Sequence, residues 1–224
     1  MSRISSSVND VLNVSCSPEI TRAANDLVAV KSMLDSLGES YIGGLIVGQI
    51  FPEWHGYRSL DPFGFAQEVL PFYWYERTQQ TATDQPLRYK ALVPTAAVVG
   101  DSWRWTPESI DENEQSRVIE TALAAFEASD SGHTTVECAR YFHIPSLGIV
   151  LAHEGKNRVA LFKKRGLPHI PAVVSDEDYP IPERLRLFDL NGTHLAVLDK
   201  RLVERVAKLD MIRDLMGAYC QQRL

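Results

Sequence analysis

A mixed α/β (α+β) fold is what the sequence predicts, and three observations predict it. Apolar residues recur at helical spacing over residues 17–38, 111–128 and 200–220. Short apolar runs of strand character lie between them, and Asn191-Gly192 marks a hairpin joining two of these. A strand, a glycine turn and a helix then follow one another over residues 146–166. The chain has 224 residues, 45% hydrophobic and 23% charged, an ordinary globular composition that excludes wholesale disorder and a fibrous repeat.

The elements can be justified in order. Ser17 is an N-cap with Pro18 at the first helical position, and Ile20, Ala23, Leu27, Val30, Leu34 and Leu37 form one stripe up to Gly38. Tyr41–Phe51 reads as a buried strand, too short and too rich in glycine for a membrane span. Phe72-Tyr-Trp-Tyr75 is either a stacking platform for bases or core and interface packing. Gln79–Gln85 is a polar loop, and Leu87–Pro94 is a strand closed by proline. Asp111 with Glu114 opens a helix that carries Val118, Ile119, Ala122, Leu123 and Phe126 on one face to Ala128. Strands are expected at Thr134–Cys138, Ser146–Leu151 and Ala172–Val174, with a helix over Val159–Arg165 stopped by Gly166. The hairpin strands are Arg184–Leu190 and Thr193–Leu198, and a last helix is expected from Lys200 to Cys220.

Charge and cysteine usage limit the function. Residues before His153 carry 10 Lys and Arg against 19 Asp and Glu, a net of −9, whereas the remainder carries 13 against 10, or +3. The first part repels a polyanion and only the last third suits one. Cys16, Cys138 and Cys220 form no C-x-x-C pair, which argues against a zinc ribbon, a redox dithiol or a disulfide framework. No secretory signal core follows Met1. The expected setting is cytoplasmic, without membrane insertion.

The chemistry concentrates at Glu154-Gly155-Lys156-Asn157-Arg158. Gly155 permits a sharp entry into the helix and close approach of a ligand. The first N–H groups of that helix, at Lys156 to Val159, together with its dipole, suit an anion. Lys156 adds a mobile positive charge and Arg158 a planar, bidentate one, the usual partners of phosphate oxygens. Glu154 is either a ligand for Mg²⁺, or an orienter of attacking water, or simply an acidic residue favoured at a helix start.

The run Glu154-Gly155-x-x-Arg158-Val159-Ala160, with Gly166 and Ile170-Pro171-Ala172-Val173-Val174, resembles the ParB/sulfiredoxin superfamily. The resemblance spans roughly residues 87–174. It implies an N-terminal helical and aromatic-rich extension over residues 1–86 and a nucleotide-binding domain over 87–224. It also implies that ATP or another nucleoside triphosphate binds at Gly155, Lys156, Asn157 and Arg158. Beside such phosphates Glu154 and Arg158 are the candidate catalytic residues, and Glu154 is the candidate Mg²⁺ ligand because hard cations choose carboxylates and phosphate oxygens. Lys156 and Asn157 stand where sulfiredoxins carry their reactive cysteine, which excludes thiol reductase activity. Only one substantial helix is expected after Val174, too few for the DNA-reading domain of a partition protein. The remaining likeness is to the small Osa-like fertility inhibition factors of conjugative plasmids, which implies ATP hydrolysis, DNA cleavage and blockage of another element's transfer machinery. Two rivals stay open: a nucleotide-switched module without turnover, and a DNA-mimicking interaction protein.

Lys163, Lys164 and Arg165, with Arg184 and Arg186 on one side of a strand, are the candidate DNA contacts. Asp176-Glu177-Asp178 is a solvated loop or a metal-binding cluster. His143, His153, His169 and His194 form no metal-ligand spacing, and His153 would stand at the mouth of the pocket.

Overall fold

The computed structural model describes residues 11–38, 40–51, 61–75, 88–100, 111–129, 138–156 and 158–222. Among these residues the fold is mixed α/β, with six α-helices and two sheets. The larger sheet consists of β1 (Arg88–Pro94), β2 (Val98–Val99), β3 (Arg140–Ile144), β4 (Ile149–Glu154) and β5 (His169–Asp176), in the spatial order β1-β5-β3-β4-β2. β5 runs antiparallel to β1 and parallel to β3, while β4 runs antiparallel to β3 and parallel to β2.

Both faces of this sheet are covered, so its inner strands are apolar without alternation. Ile149 and Leu151 of β4 enter one core with Ile20, Leu27 and Leu34 of α1 (Pro18–Gly38). Val150 and Ala152 enter the opposite core, with Ala122 of α4 (Glu112–Ala128) and with Val159 and Phe162 of α5 (Arg158–Lys164). The first core also takes Phe65, Ala66 and Val69 of α3 (Pro62–Val69), so it draws on residues either side of position 87. The second sheet is a meander of β6 (Leu185–Leu190), β7 (Thr193–Leu198) and β8 (Leu202–Arg205). Leu185 and Ala196 join the first core beside Ile212, Leu215 and Met216 of α6 (Leu209–Gln221).

Several local signals act as read. The Ser17 hydroxyl accepts from the Ile20 N–H at 3.4 Å, and the Asp111 carboxylate accepts from the Glu114 N–H at 2.8 Å. Asn191 and Gly192 take φ of 52° and 79°, the pair of left-handed residues a two-residue hairpin requires. At the end of α5, the Gly166 N–H bonds to the Lys163 carbonyl and the Leu167 N–H to the Phe162 carbonyl, each at 3.0 Å.

Tyr41–Phe51 corrects the sequence reading: it is not a strand, and Tyr41–Ile50 is helix α2. The Ser40 hydroxyl caps it by accepting from the Gly43 N–H at 3.0 Å. Burial recurs at Gly43, Val47 and Phe51, every fourth residue. Gly43 lies so close to α1 that a Cβ there would sit 1.8 Å from the Leu37 carbonyl oxygen. The run itself is apolar at nearly every position, so it has no periodicity to separate helix from strand.

The helix expected from Lys200 begins only at Leu209. Asp199 and Lys200 take φ of 54° and 59°, which turns the chain back, and Leu202–Arg205 pairs with β7 instead. Leu202 and Val203 are therefore exposed strand residues rather than part of a helical stripe. The strand expected at Ser146–Leu151 starts at Ile149 and runs on to Glu154, and the Ala172–Val174 strand extends to His169–Asp176. Residues 134–137 and Gln79–Gln85 lie outside the described residues; β3 is Arg140–Ile144. No helix among the described residues is long and apolar enough to cross a membrane.

Candidate functional site

β4 ends on two exposed residues, His153 and Glu154, at the rim of the larger sheet. Gly155 follows with φ +73°, a conformation that costs an L-residue about 1–2 kcal/mol. A Cβ at Gly155 would also lie 3.3 Å from the Ala139 Cβ. The chain therefore turns sharply here, as the glycine suggested, and α5 starts at Arg158. Asn157 lies outside the described residues.

The backbone departs from the expected anion cradle. The Arg158 N–H donates to the Gly155 carbonyl at 3.0 Å, and the Val159 N–H to the Lys156 carbonyl at 3.3 Å. These two N–H groups are used inside the turn, because a short helix entered through a tight turn bonds its own first turn. Two of the four N–H groups expected in the cradle are thus used inside the turn, and Lys156 and Arg158 add side-chain charge beside it. Arg158 lies near the fully buried Tyr141: burial pushes the phenol's pKa up, and the arginine's charge acts in the opposite sense.

Lys156 already holds an anion. Its ammonium donates to Asp61 Oδ2 at 2.5 Å, with the lysine side chain 33% and the aspartate side chain 46% exposed. Asp61 caps α3 with its other oxygen, which accepts from the Phe63 N–H at 3.0 Å. Next to it, Phe63 lies edge-on to His153, with ring centroids 5.5 Å apart, and to Phe142 at 5.3 Å, and it stacks on Trp74 at 6.5 Å. His153 thus belongs to an aromatic cluster as well as to the rim, with its Nε2 3.9 Å from Glu154 Oε1. Asp61 escaped the sequence reading. The Asp61-Pro62 dipeptide is a readable helix start, whereas its partner 95 residues away is not.

The residues proposed for DNA divide. Lys163 faces inward, donating to the Ser32 hydroxyl at 2.9 Å and the Val98 carbonyl at 3.1 Å. Burial, and then the charge of Lys31, lower its pKa to about 8, so it is a poor phosphate contact. Arg184 makes a bidentate pair with Asp199 at 2.8 and 2.7 Å. Lys164, Arg165 and Arg186 are exposed, the first two at the end of α5 and the third on β6 of the other sheet.

The acidic run is divided too. Asp176 accepts from the Tyr89 hydroxyl at 2.7 Å and pairs with His143 Nδ1 at 2.9 Å. Glu177 is buried and accepts from the Tyr73 hydroxyl at 2.9 Å, while Asp178 is exposed. No group of three His, Cys, Asp or Glu side chains gathers to hold a metal among the described residues. Glu154 therefore fits Mg²⁺ only as a single carboxylate, with bound phosphates supplying further oxygens, as Mg²⁺ commonly accepts. Compared with known proteins, the chain matches no family model, no curated protein and no solved structure.

Proposed function

We propose that the chain is a nucleotide-binding protein whose Gly155 turn takes the phosphates of ATP or a related nucleoside triphosphate. The Lys156–Asp61 pair carries the reading, since the turn already attracts and holds an oxyanion. Phosphate oxygens would replace the Asp61 carboxylate on Lys156, and the Arg158 guanidinium would add a bidentate contact. Exchange is inexpensive because the pair is only half-buried, and an ion pair in contact with water contributes about 0–1 kcal/mol. The resemblance to ParB/sulfiredoxin proteins points the same way. It extends the proposal to ATP hydrolysis with Glu154 as the Mg²⁺ carboxylate, and to inhibition of conjugative transfer. Mg²⁺ would neutralise phosphate charge there. DNA, if it is a partner, would meet Lys164, Arg165 and Arg186.

The same pair favours a second reading, a nucleotide-switched module without turnover. Asp61 joins the cap of α3 to the turn, so a ligand that displaces it also releases that tie. One pair of measurements decides. Binding of ATP with phosphate release in Mg²⁺ supports the enzyme, binding without release supports the switch, and no binding defeats both. Arg158→Ala should weaken nucleotide binding roughly 10- to 100-fold, the worth of one charge-assisted hydrogen bond. Unchanged affinity in that variant, with its circular dichroism intact, would remove the site.

A further inference from the structure

The two faces of the second sheet have unlike surroundings. Leu185 of β6 and Ala196 and Leu198 of β7 are buried, the first two within the core beneath the sheet. Side chains alternate along a strand, so Arg186 and Phe188 on β6, and Leu195 and Val197 on β7, stand on the opposite face. Register completes that face across the three strands. Arg186, Val197 and Val203 lie side by side, and so do Phe188, Leu195 and Arg205.

This outer face departs from the usual pattern. An antiparallel sheet with one side on the core ordinarily carries polar residues on the other. Here the middle is apolar: Phe188 is 50% and Val203 61% exposed, with Leu195 and Val197 partly exposed between them. Leu190, also 61% exposed, extends the band toward the hairpin. An apolar sheet face is normally covered by a further layer, yet these side chains stand in water.

Its charges have one sign. Arg186 stands on the β6 flank of the apolar band and Arg205 on the β8 flank, both exposed. The acidic residues of these strands alternate to the other face, where Asp189 lies 3.3 Å from His194 Nδ1 and Glu204 accepts from the Phe72 N–H at 2.8 Å. The outer face thus holds two guanidinium groups and no carboxylate of its own strands. Its size suits one helix. Strands about 4.8 Å apart and about 3.4 Å per residue give a face roughly 14 by 20 Å, which a helix about 10–12 Å across covers. Guanidinium groups on both flanks match carboxylates bordering the apolar stripe of such a helix. Single-stranded nucleic acid fits less well, because one phenyl ring gives bases a single place to stack. A second copy would set the same arginines against each other, and an anionic membrane surface is held by clusters of about four to eight basic residues.

We propose that this face binds an amphipathic, acidic helix of a partner protein, with the apolar stripe on Phe188, Val197 and Val203 and the flanking carboxylates on Arg186 and Arg205. The proposal does not rest on a nucleotide at the Gly155 turn, and it assigns Arg186 to a carboxylate rather than to DNA. The test titrates the full chain into a fluorescent synthetic helix with leucines at i, i+3, i+4 and i+7 and glutamates on both sides of that stripe. A second helix carries lysine in place of each glutamate. Labelled single-stranded DNA and phosphatidylserine vesicles are the rival partners. The glutamate helix should bind at least about tenfold more tightly than the lysine helix, because opposite charges attract at each flank and like charges repel. Arg205→Glu should abolish or invert that preference, and Phe188→Ser should weaken the glutamate helix roughly tenfold, as loss of an aromatic anchor does. Should Arg205→Glu misfold by circular dichroism, Arg186→Glu reads the same change from the opposite flank. Equal binding of the two helices, no saturable binding of the glutamate helix, an unchanged preference in a folded arginine variant, or tighter binding of the DNA or the vesicles would overturn the proposal.

Discussion

Two lysine–aspartate pairs in this molecule share a chemistry and differ in everything around it. Lys31 and Asp35 lie one helical turn apart on α1 with side chains only 1% and 4% exposed. The Lys31 ammonium reaches both Asp35 oxygens, at 2.7 and 2.6 Å, and the Gly100 carbonyl at 3.1 Å. Lys156 and Asp61 meet across 95 residues, with 33% and 46% of their side chains in water. Burial makes the first pair obligatory, because either ion left alone would face a low-dielectric core. Water makes the second replaceable. A protein that must exchange an internal anion for a ligand needs a pair of the second kind.

The contrast can be broken most directly at its buried end. Asp35→Ala strands the Lys31 ammonium and should cost about 3–5 kcal/mol, measured as a shift in the urea midpoint at unchanged slope. A loss below about 1 kcal/mol would place the pair with surface bridges. Gly155→Ala comes next. The left-handed φ should cost about 1–2 kcal/mol, and nucleotide affinity should fall with it as the added Cβ pushes the turn off Ala139. A variant as stable as the parent would show that the turn relaxes freely.

Lys163 sharpens the comparison through pH. Burial lowers its pKa to about 8, against 10.5 for the ordinary group. Above pH 8 the folded chain has released a proton that the unfolded chain still binds, so stability should rise with pH. One proton gives a slope of at most about 1.4 kcal/mol per pH unit. The window is pH 8 to 9, and toward its upper end the Cys16 thiol, whose pKa burial raises above its ordinary 9.0, begins to oppose the trend. Urea unfolding at both ends of that window should show the rise, and Lys163→Met should flatten it. The smallest effect on stability belongs to the half-buried pair. Asp61→Asn should change stability by less than about 1 kcal/mol while raising nucleotide affinity, since the competing carboxylate has lost its charge. Weaker nucleotide binding in Asp61→Asn would mean that Asp61 assists the ligand rather than competing with it.

Legibility followed the range of the interaction. Ser17-Pro18, Asp111 with Glu114, Gly166 and Asn191-Gly192 each act within a few residues, and each does what its chemistry indicates. The glycine turn after β4 was readable for the same reason, and with it the placement of Lys156 and Arg158 beside one another. Tyr41–Phe51 was not, because an unbroken apolar run carries no period. Its helix depends on the Ser40 cap and on α1 passing close to Gly43. Leu202 and Val203 fit a helical stripe until β7 offered them a pairing partner. Lys163 looked like a surface charge, and only the positions of Ser32 and Val98 turned it inward.

The sequence by itself determined the class of fold, the start of α1 and α4, the hairpin of the second sheet and the sharp turn at Gly155. Those depend on backbone conformations and caps that neighbouring residues impose on one another. Tertiary structure decided which charges are usable. It brought Asp61 to Lys156, Asp176 to His143, and Glu204 to the Phe72 N–H across 132 residues. No local signal encodes such meetings, because the energy of a charge depends on its distance from water and from other charges. Both distances are set only when the helices close over the sheet.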